Sequence, residues 1–419
     1  MKIILCNKYF FLNGGTEKYL HALMEHLDAE GHEPVPFSVA YAGSWPSVYS
    51  RFFLPPPGPA DQVYYRDICL TPARLVRHVD RSVYSIEARV RLARLLQATG
   101  GADIAYLLNI YNYMSPSVIH SFRKRGIPVV MRLGDYNLQC PSYVFLREGR
   151  PCKLCMQGAY WNGLRYRCVK GSLPASALRV LSMYVHKITR LYAQVDAFVV
   201  PCDFMRRQLV QGGFPEARIH VIRSPAVSET GAGCGQNRRH ILYFGRISPE
   251  KGIDTLIEAW QGLGEAPELI LAGRSYDNEQ KRLQKLISPA NRERARFAGF
   301  QNQRELGRLI DEALLSVVPS RWYDNAPLSI HESFMHATPV AAARIGGIPE
   351  QVQDGITGML FEPENVEGLR AVLQAMLSDR GRLERMGNAA RDYVGRECGL
   401  DLHAKRLLEL FERVREHGC

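Results

Sequence analysis

HILYFGRISPEKGIDTLIEAW, residues 240–260, changes character at its middle. Ile241 to Phe244 is an apolar run too short for a helix and reads as a buried strand; Gly245 begins a turn, and an amphipathic helix follows. A strand feeding a helix through a glycine turn is half of a βαβ unit. Similar apolar runs recur at ELILAG (268–273), ARFAGF (295–300), LLSVVP (314–319) and PVAAA (339–343), the expected strands of one parallel sheet. ADIAYLLNIY (102–111), PVVMRLGDY (128–136) and VDAFVVP (195–201) read as strands of another. A chain of 419 residues exceeds one ordinary core, and its 46% apolar share allows two well-packed α/β domains. RSPAVSETGAGCGQNRR (223–239) has the Pro, Gly and small polar residues of a linker. It places the boundary near Thr230, with domains over 1–229 and 230–398 and a last helical stretch from about 399 to 419. No repeat or low-complexity tract interrupts this pattern.

Arg246 and Lys251 lie in the turn after the first strand of the second domain. In open α/β sheets ligands collect beyond the carboxyl ends of the strands, so both cations are expected to face one crevice. A cation about 4 Å from a phosphate charge is worth roughly 4 kcal/mol at an effective dielectric near 20, enough to assist a diphosphate leaving group. Taken singly, each is an ordinary loop charge. Pro319 to Glu350, PSRWYDNAPLSIHESFMHATPVAAARIGGIPE, supplies the rest. Asn325 is a good N-cap and Pro327 suits a first helical turn, which leaves the amides of Leu328 and Ser329 free at the positive end of a helix dipole. Glu332 follows Leu328 by one turn, so Asp324 and Glu332 would flank a phosphate-bearing ligand and accept hydrogen bonds from its hydroxyls. The plainer alternative is a capped surface helix with a solvated Glu332.

At the N-terminus, KIILCNKYFFLNGGTEKYLHALMEHLDAEGHEPVPFSV (2–39) reads as strand, Gly-Gly loop, helix with Leu20, Leu23, Met24 and Leu27 on one side, Gly31 as the stop, then a second strand. Gly14 and Gly15 permit close backbone approach or a turn with positive φ.

These residues together resemble glycosyltransferase family 4, whose second domain shows a G-R-x5-K-G-like element, an E-x7-E segment, then P-V and G-G-x-x-E. Here the elements are Gly245, Arg246, Lys251 and Gly252; Asp324 and Glu332; Pro339 and Val340; and Gly346, Gly347 and Glu350. Asp324 stands where the family usually has Glu, one methylene shorter. The resemblance implies the GT-B fold, two Rossmann-like parallel-sheet domains facing each other across a cleft, with the final helix crossing back to the first domain. It implies a retaining transfer from a nucleotide-diphosphate sugar, with Gly14, Gly15 and Glu17 in a loop over the donor diphosphate. Arg246 and Lys251 would hold the diphosphate with the backbone of Pro327, Leu328 and Ser329, Glu332 the ribose or donor sugar, and Asp324 the sugar hydroxyls.

CPSYVFLREGRPCKLCMQGAYWNGLRYRC sets Cys140, Cys152, Cys155 and Cys168 at C-x11-C-x2-C-x12-C spacing in an insertion of about 132–172. Four thiolates at such spacing could close a tetrahedral, structural zinc site; the competing reading is four free thiols. Family 4 members with a similar insertion carry H-N-Y or H-D-Y just before the first cysteine, whereas this chain has Gly134-Asp135-Tyr136. Gly134 replaces the histidine, leaving Asp135 as the nearest candidate to orient an acceptor hydroxyl, although Asp is also a common turn former. No Asp-x-Asp element occurs, so no cofactor is expected for catalysis, with Arg246, Lys251 and helix amides as the counter-charge.

The formal charge of +11 exceeds what a diphosphate pocket needs. Arg74, Arg77 and Arg81 share one helical face opposite Leu75, Val79, Val83, Ile86 and Val90, which suits either anionic lipid headgroups or plain solvent. No recognition motif accompanies the basic residues, so nucleic acid is not expected. The apolar start is broken by Asn7 and Lys8 and no run of about 18 apolar residues exists, which suggests a cytoplasmic protein, soluble or peripheral at the inner membrane face. The expected partners are a nucleotide-diphosphate sugar and a glycan or lipid-linked glycan acceptor, in surface polysaccharide synthesis. A GT-B-type nucleotide-sugar epimerase and a catalytically silent nucleotide-sugar-binding scaffold are the competing readings.

Overall fold

The structure, a computed structural model, describes residues 1–61, 71–227, 238–275 and 278–417. Two six-stranded parallel sheets organise it. The first contains β1 (Lys2–Cys6), β2 (Glu33–Phe37), β3 (Ile104–Leu107), β4 (Val129–Arg132), β7 (Ala197–Val200) and β8 (Ile219–Val221), in the order β2-β1-β3-β4-β7-β8. The small antiparallel hairpin of β5 (Leu146–Arg147) and β6 (Arg150–Pro151) stands apart in the insertion between β4 and β7. The second sheet contains β9 (His240–Phe244), β10 (Glu268–Ala272), β11 (Ala295–Gly299), β12 (Ala313–Val318), β13 (Val340–Ala343) and β14 (Gly358–Phe361), in the order β11-β10-β9-β12-β13-β14. Every residue of β3, β7, β9, β12 and β13 is buried. Helices cover both faces of a parallel sheet, so its strands must be apolar throughout. Pro34 and Pro36 are tolerated in β2 because it is an edge strand.

In each sheet the order reverses once, between β1 and β3 and between β9 and β12, and the crevice outside the carboxyl ends of such a pair is where ligands are held. The segments leaving β9 and β12 carry Arg246, Lys251 and Asp324; those leaving β1 and β4 carry Gly14, Gly15 and Asp135.

The last helix, Leu400–His417, packs Leu407, Leu410, Phe411 and Val414 against Leu20, Leu23 and Tyr106 of the first sheet's layer. Tyr19 Oη and His403 Nε2 stand 2.9 Å apart in that seam. The expected linker falls largely on residues 228–237, outside the described residues, and the boundary at Thr230 falls with it.

The basic helix expected across Arg74 to Val90 is two helices, Pro72–Val83 and Ile86–Ala98, because Ser85 caps the second by accepting from the Ala88 amide. Arg81 does not share a solvent face with Arg74 and Arg77. It is fully buried, and its Nη2 donates to Glu87 Oε2 at 2.8 Å and to the Pro55 carbonyl at 2.7 Å. Leu75, Val76 and Val79 are exposed instead. No described helix is long and apolar enough to cross a membrane.

Candidate functional site

A cavity of about 620 Å³ opens between the two sheets' carboxyl edges. From the second domain it is lined by Arg246, Lys251, Asp324, Pro327, Leu328, Ser329 and Glu332, and from the first by Gly14 and Gly15. These residues therefore face one space; Glu17, expected in the same loop, does not line it but is buried and accepts from Asn7 Nδ2 at 3.0 Å. Asp135 is not part of the lining; its neighbour Gly134 is.

The helix Leu328–Met335 begins differently from expectation. Pro327, not Asn325, occupies the cap position. The Asn325 side chain is used elsewhere: its Nδ2 donates to the Gly134 carbonyl at 3.1 Å, and its Oδ1 accepts from the Tyr136 hydroxyl. With no side-chain cap, the amides of Leu328 and Ser329 have no described acceptor and remain available at the helix's positive end.

Lys251 Nζ lies 2.5 Å from Asp324 Oδ2, which also accepts from Ser320 Oγ at 3.1 Å and Trp322 Nε1 at 3.2 Å. Three donors on one oxygen fix a carboxylate only 6% exposed and leave its Oδ1 without a described partner. Glu332 is held by Lys18 of the first helix, Gly15–Ala29, at 2.7 Å, again through one oxygen. Arg246 is half-exposed, with Nη2 3.3 Å from Glu250 Oε1.

Glycines make this geometry accessible. Gly346 has φ +63°, and a Cβ there would stand 2.3 Å from the Asp324 carbonyl oxygen; one on Gly347 would stand 1.9 Å from that of Asn325. The Gly-Gly pair thus lets the chain after β13 pass against the loop that carries Asp324, and the Gly347 amide donates to the Asp324 carbonyl at 2.8 Å. Gly252, at φ +66°, sits where a Cβ would meet the Pro319 carbonyl oxygen at 2.0 Å, which seats the Lys251 turn on the same loop.

Several contacts at the site carry no local signal in the sequence, even where the residue itself, as with Glu350, stood in a motif. Lys18 bonds a residue 314 positions away. Glu350 crosses between domains to accept from the amides of Asp203 and Phe204 at 2.7 and 2.6 Å, capping the helix Asp203–Gln211. Arg274 and Phe300 line the far end of the cavity, the guanidinium 4.5 Å from the ring centroid. Only their place after the ends of β10 and β11 could have pointed to them.

On the first-domain side, Asp135 accepts from the Asn137 amide at 3.0 Å and from Asn137 Nδ2 at 2.8 Å on both oxygens, and burial raises its pKa. Burial lowers that of Lys8, whose charge neighbours are Glu17 and Asp135. The four insertion cysteines are free thiols. Burial and then the charges of Cys140, Cys168 and Cys152 push the Cys155 thiol up to about 12. Among the described residues no three His, Cys, Asp or Glu side chains form a group that could hold a metal ion.

Two family models match the chain: "Glycosyl transferase 4-like domain" over residues 14–225 and "Glycosyl transferases group 1" over 233–393. An amylovoran biosynthesis glycosyltransferase of Erwinia amylovora is 25% identical over 57% of this chain and 61% of its own length. The chain spans 57–63% of the length of the first curated relatives it matches. Among solved structures, sucrose-phosphate synthase of Thermosynechococcus elongatus superposes with a TM-score of 0.70 at 17% identity, covering 99% of this chain and 98% of that one. HepE of Anabaena, solved in complex with UDP, does so at 0.65 and 16%, covering 99% and 100%. At such identities these two show the fold alone, which is GT-B.

Proposed function

We propose that this chain, which belongs to the family of glycosyl transferases with a 4-like first domain and a group 1 second domain, moves a sugar from a nucleotide-diphosphate donor to a hydroxyl of a glycan or lipid-linked glycan. One observation carries the reading: Arg246, Lys251 and the uncapped amides of Leu328 and Ser329 line a single cavity with two half-free carboxylates. The cations and amides suit a diphosphate; Asp324 Oδ1 and the second oxygen of Glu332 suit hydroxyls of the sugar and ribose.

The acceptor oxygen bonds to the anomeric carbon as the carbon–oxygen bond to the phosphate breaks, and the hydroxyl proton passes to the departing phosphate oxygen. Such a front-face transfer retains configuration and asks little of a protein base, in keeping with Gly134 at the position of the family's histidine. Arg246, Lys251 and the helix amides meet the charge that develops on the diphosphate, so the chemistry needs no divalent ion. Asp135, held by Asn137 at the domain's cleft-side loop, is the candidate to orient the acceptor. The Erwinia relative's name favours polysaccharide synthesis as the setting.

The test is a thermal-shift screen against nucleotide-diphosphate sugars, in which a donor at 100 times its dissociation constant adds roughly 2.7 kcal/mol. UDP-sugars come first, given the UDP held by the Anabaena neighbour. Nucleotide release that depends on acceptor, with retention read from the product's anomeric proton coupling, identifies a transferase. Release of a changed free sugar without acceptor identifies an epimerase, and binding without turnover a scaffold. No shift from folded protein with any such sugar refutes the proposal.

A further inference from the structure

Away from the donor cleft, a second cavity of about 250 Å³ lies in the first domain, between the cysteine insertion, the helix Leu173–Ile188 and the chain around β7 and β8. Four cations line it, Arg179, Lys187, Arg190 and Arg218, together with His186, and no Asp or Glu does. Its other walls include the rings of Tyr160 and Tyr192.

Arg179 is the informative member. It is only 8% exposed, and its Nη2 donates to the Asn137 carbonyl and Oδ1 at 2.6 and 3.0 Å. Its Nε and Nη1 have no described acceptor, and no carboxylate forms an ion pair with it among the described residues. Arg81, the other buried arginine among the described residues, does have a carboxylate beside it, Glu87 at 2.8 Å. Burying an ion without its counter-charge is expensive, so a largely buried guanidinium with no carboxylate in ion-pair distance, facing a cavity lined by three more cations, calls for an anion. Asp135 is the acid whose charge Arg179 feels, but the two make no direct ion pair, since Asn137 lies between them and bonds to both.

We propose that this cavity is a second ligand site, taking a phosphate-bearing small molecule that is distinct from the nucleotide-sugar donor. Arg179 offers its free guanidinium edge to the phosphate, with Lys187, Arg190 and Arg218 completing the positive rim and the tyrosine rings receiving the less polar remainder. The site also connects to the cleft. Asn137 accepts from Arg179 on one side and donates to Asp135 on the other, so an anion that turns Arg179 shifts the support of the Asp135 carboxylate.

Two sources carry such a phosphate, a soluble phosphorylated compound and a lipid headgroup, and one set of variants separates them. Full-length protein carrying Lys251→Met, which disables the donor cleft, is titrated calorimetrically with inorganic pyrophosphate. Binding is expected to persist and to weaken at least tenfold when Arg190→Glu is added; Arg190 is exposed and has no described side-chain partner, so this change spares the fold. Arg218→Gln is the second variant, expected to weaken binding several-fold. Sedimentation with phosphatidylglycerol vesicles, against phosphatidylcholine vesicles, completes the set. Loss of vesicle binding with Arg190→Glu supports the site and assigns the phosphate to a headgroup, whereas loss of pyrophosphate binding with vesicle binding unchanged supports it and assigns a soluble ligand. The proposal is overturned if Lys251→Met protein does not bind pyrophosphate, or if Arg190→Glu and Arg218→Gln leave that binding unchanged. Absence of any donor response in the native protein would count against the transferase reading and leave this one standing.

Discussion

Lys251→Met removes the cation at the centre of the donor cleft while keeping most of the side chain's bulk. Its ammonium is 2.5 Å from Asp324 Oδ2 and 5.4 Å from the Trp322 ring centroid, on a side chain 16% exposed. A cation about 4 Å from a phosphate contributes roughly 4 kcal/mol at an effective dielectric of 20, and halving that for the part open to solvent leaves about 2 kcal/mol. The change also strips Asp324 of its counter-ion, and a nearly buried bare carboxylate repels the incoming diphosphate by about 1–2 kcal/mol more. The total, about 3–4 kcal/mol, corresponds to a Kd raised roughly 140- to 700-fold, since each 1.4 kcal/mol is tenfold. Isothermal titration with whichever of UDP, ADP and GDP the native protein binds measures it, and the matching nucleoside, lacking phosphate, is the control whose affinity stays within about twofold. Adding Asp324→Asn removes the repulsion and should restore about a third of the loss. A folded Lys251→Met protein that binds the diphosphate within threefold of the native value refutes the placement of phosphate at this lysine.

Gly347→Ala drives a Cβ to within 1.9 Å of the Asn325 carbonyl oxygen and 2.6 Å of Cys202 Sγ, so the loop bearing Asp324 must move; thermal unfolding should show a loss of about 2–4 kcal/mol, and nucleotide binding should fall with it. Glu350→Ala deletes two charge-assisted bonds at the start of the helix Asp203–Gln211, and its cost of about 1–2 kcal/mol should appear in chemical denaturation without a change in m-value. His186, His331 and His403 are each lowered by burial from 6.5 to about 4, so in the interval between those values the unfolded chain binds protons that the native chain does not. Stability is therefore full above about pH 6.5 and declines by about 1.4 kcal/mol per histidine per pH unit as pH falls toward 4. Replacing His403 with Gln should flatten the denaturation free energy measured against pH by one such share, and an unchanged slope would contradict the burial of that ring.

The strands were legible because a parallel sheet covered on both faces demands uninterrupted apolar runs: HILYF, LLSVV and VAAA lie within buried strands. That Arg246, Lys251, Asp324 and Glu332 share one cavity was legible because they sit in short segments after strand ends, where topology alone directs them to one crevice. Two local readings went astray for one reason, that a side chain suited to a nearby task was engaged by a distant one. Asn325 has the chemistry of a cap but spends it on Tyr136 and Gly134, 189 and 191 positions away. Arg81 continues a basic helical face in the sequence, yet the helix stops at Val83 and the guanidinium turns inward to Glu87. Apolar periodicity ran on through this break; Ser85 was the only local signal of a new start.

The spacing of the Pro319–Glu350 stretch answers to two demands at once. Toward the cleft it must present the Asp324 carboxylate, the bare amides of Leu328 and Ser329, and Glu332 within one cavity. Toward the first domain it must offer Asn325 to Tyr136 and Gly134, Tyr323 to the Phe204 ring at 5.1 Å, and Glu350 to the Asp203 helix. Asp324 and Asn325 are adjacent, so the backbone that aims a carboxylate into the cavity is the backbone pinned across the domain interface. Gly346 and Gly347 press on that same pair of residues from behind. Motion of one domain against the other therefore cannot leave the Asp324 carboxylate untouched, and Lys18, reaching Glu332 from the opposite wall, extends the linkage to the far end of the helix's first turn. Substitutions at the interface contacts should for this reason alter donor affinity without touching the donor, and the loop's glycines are required by the closeness of the chain behind it as much as by the ligand in front.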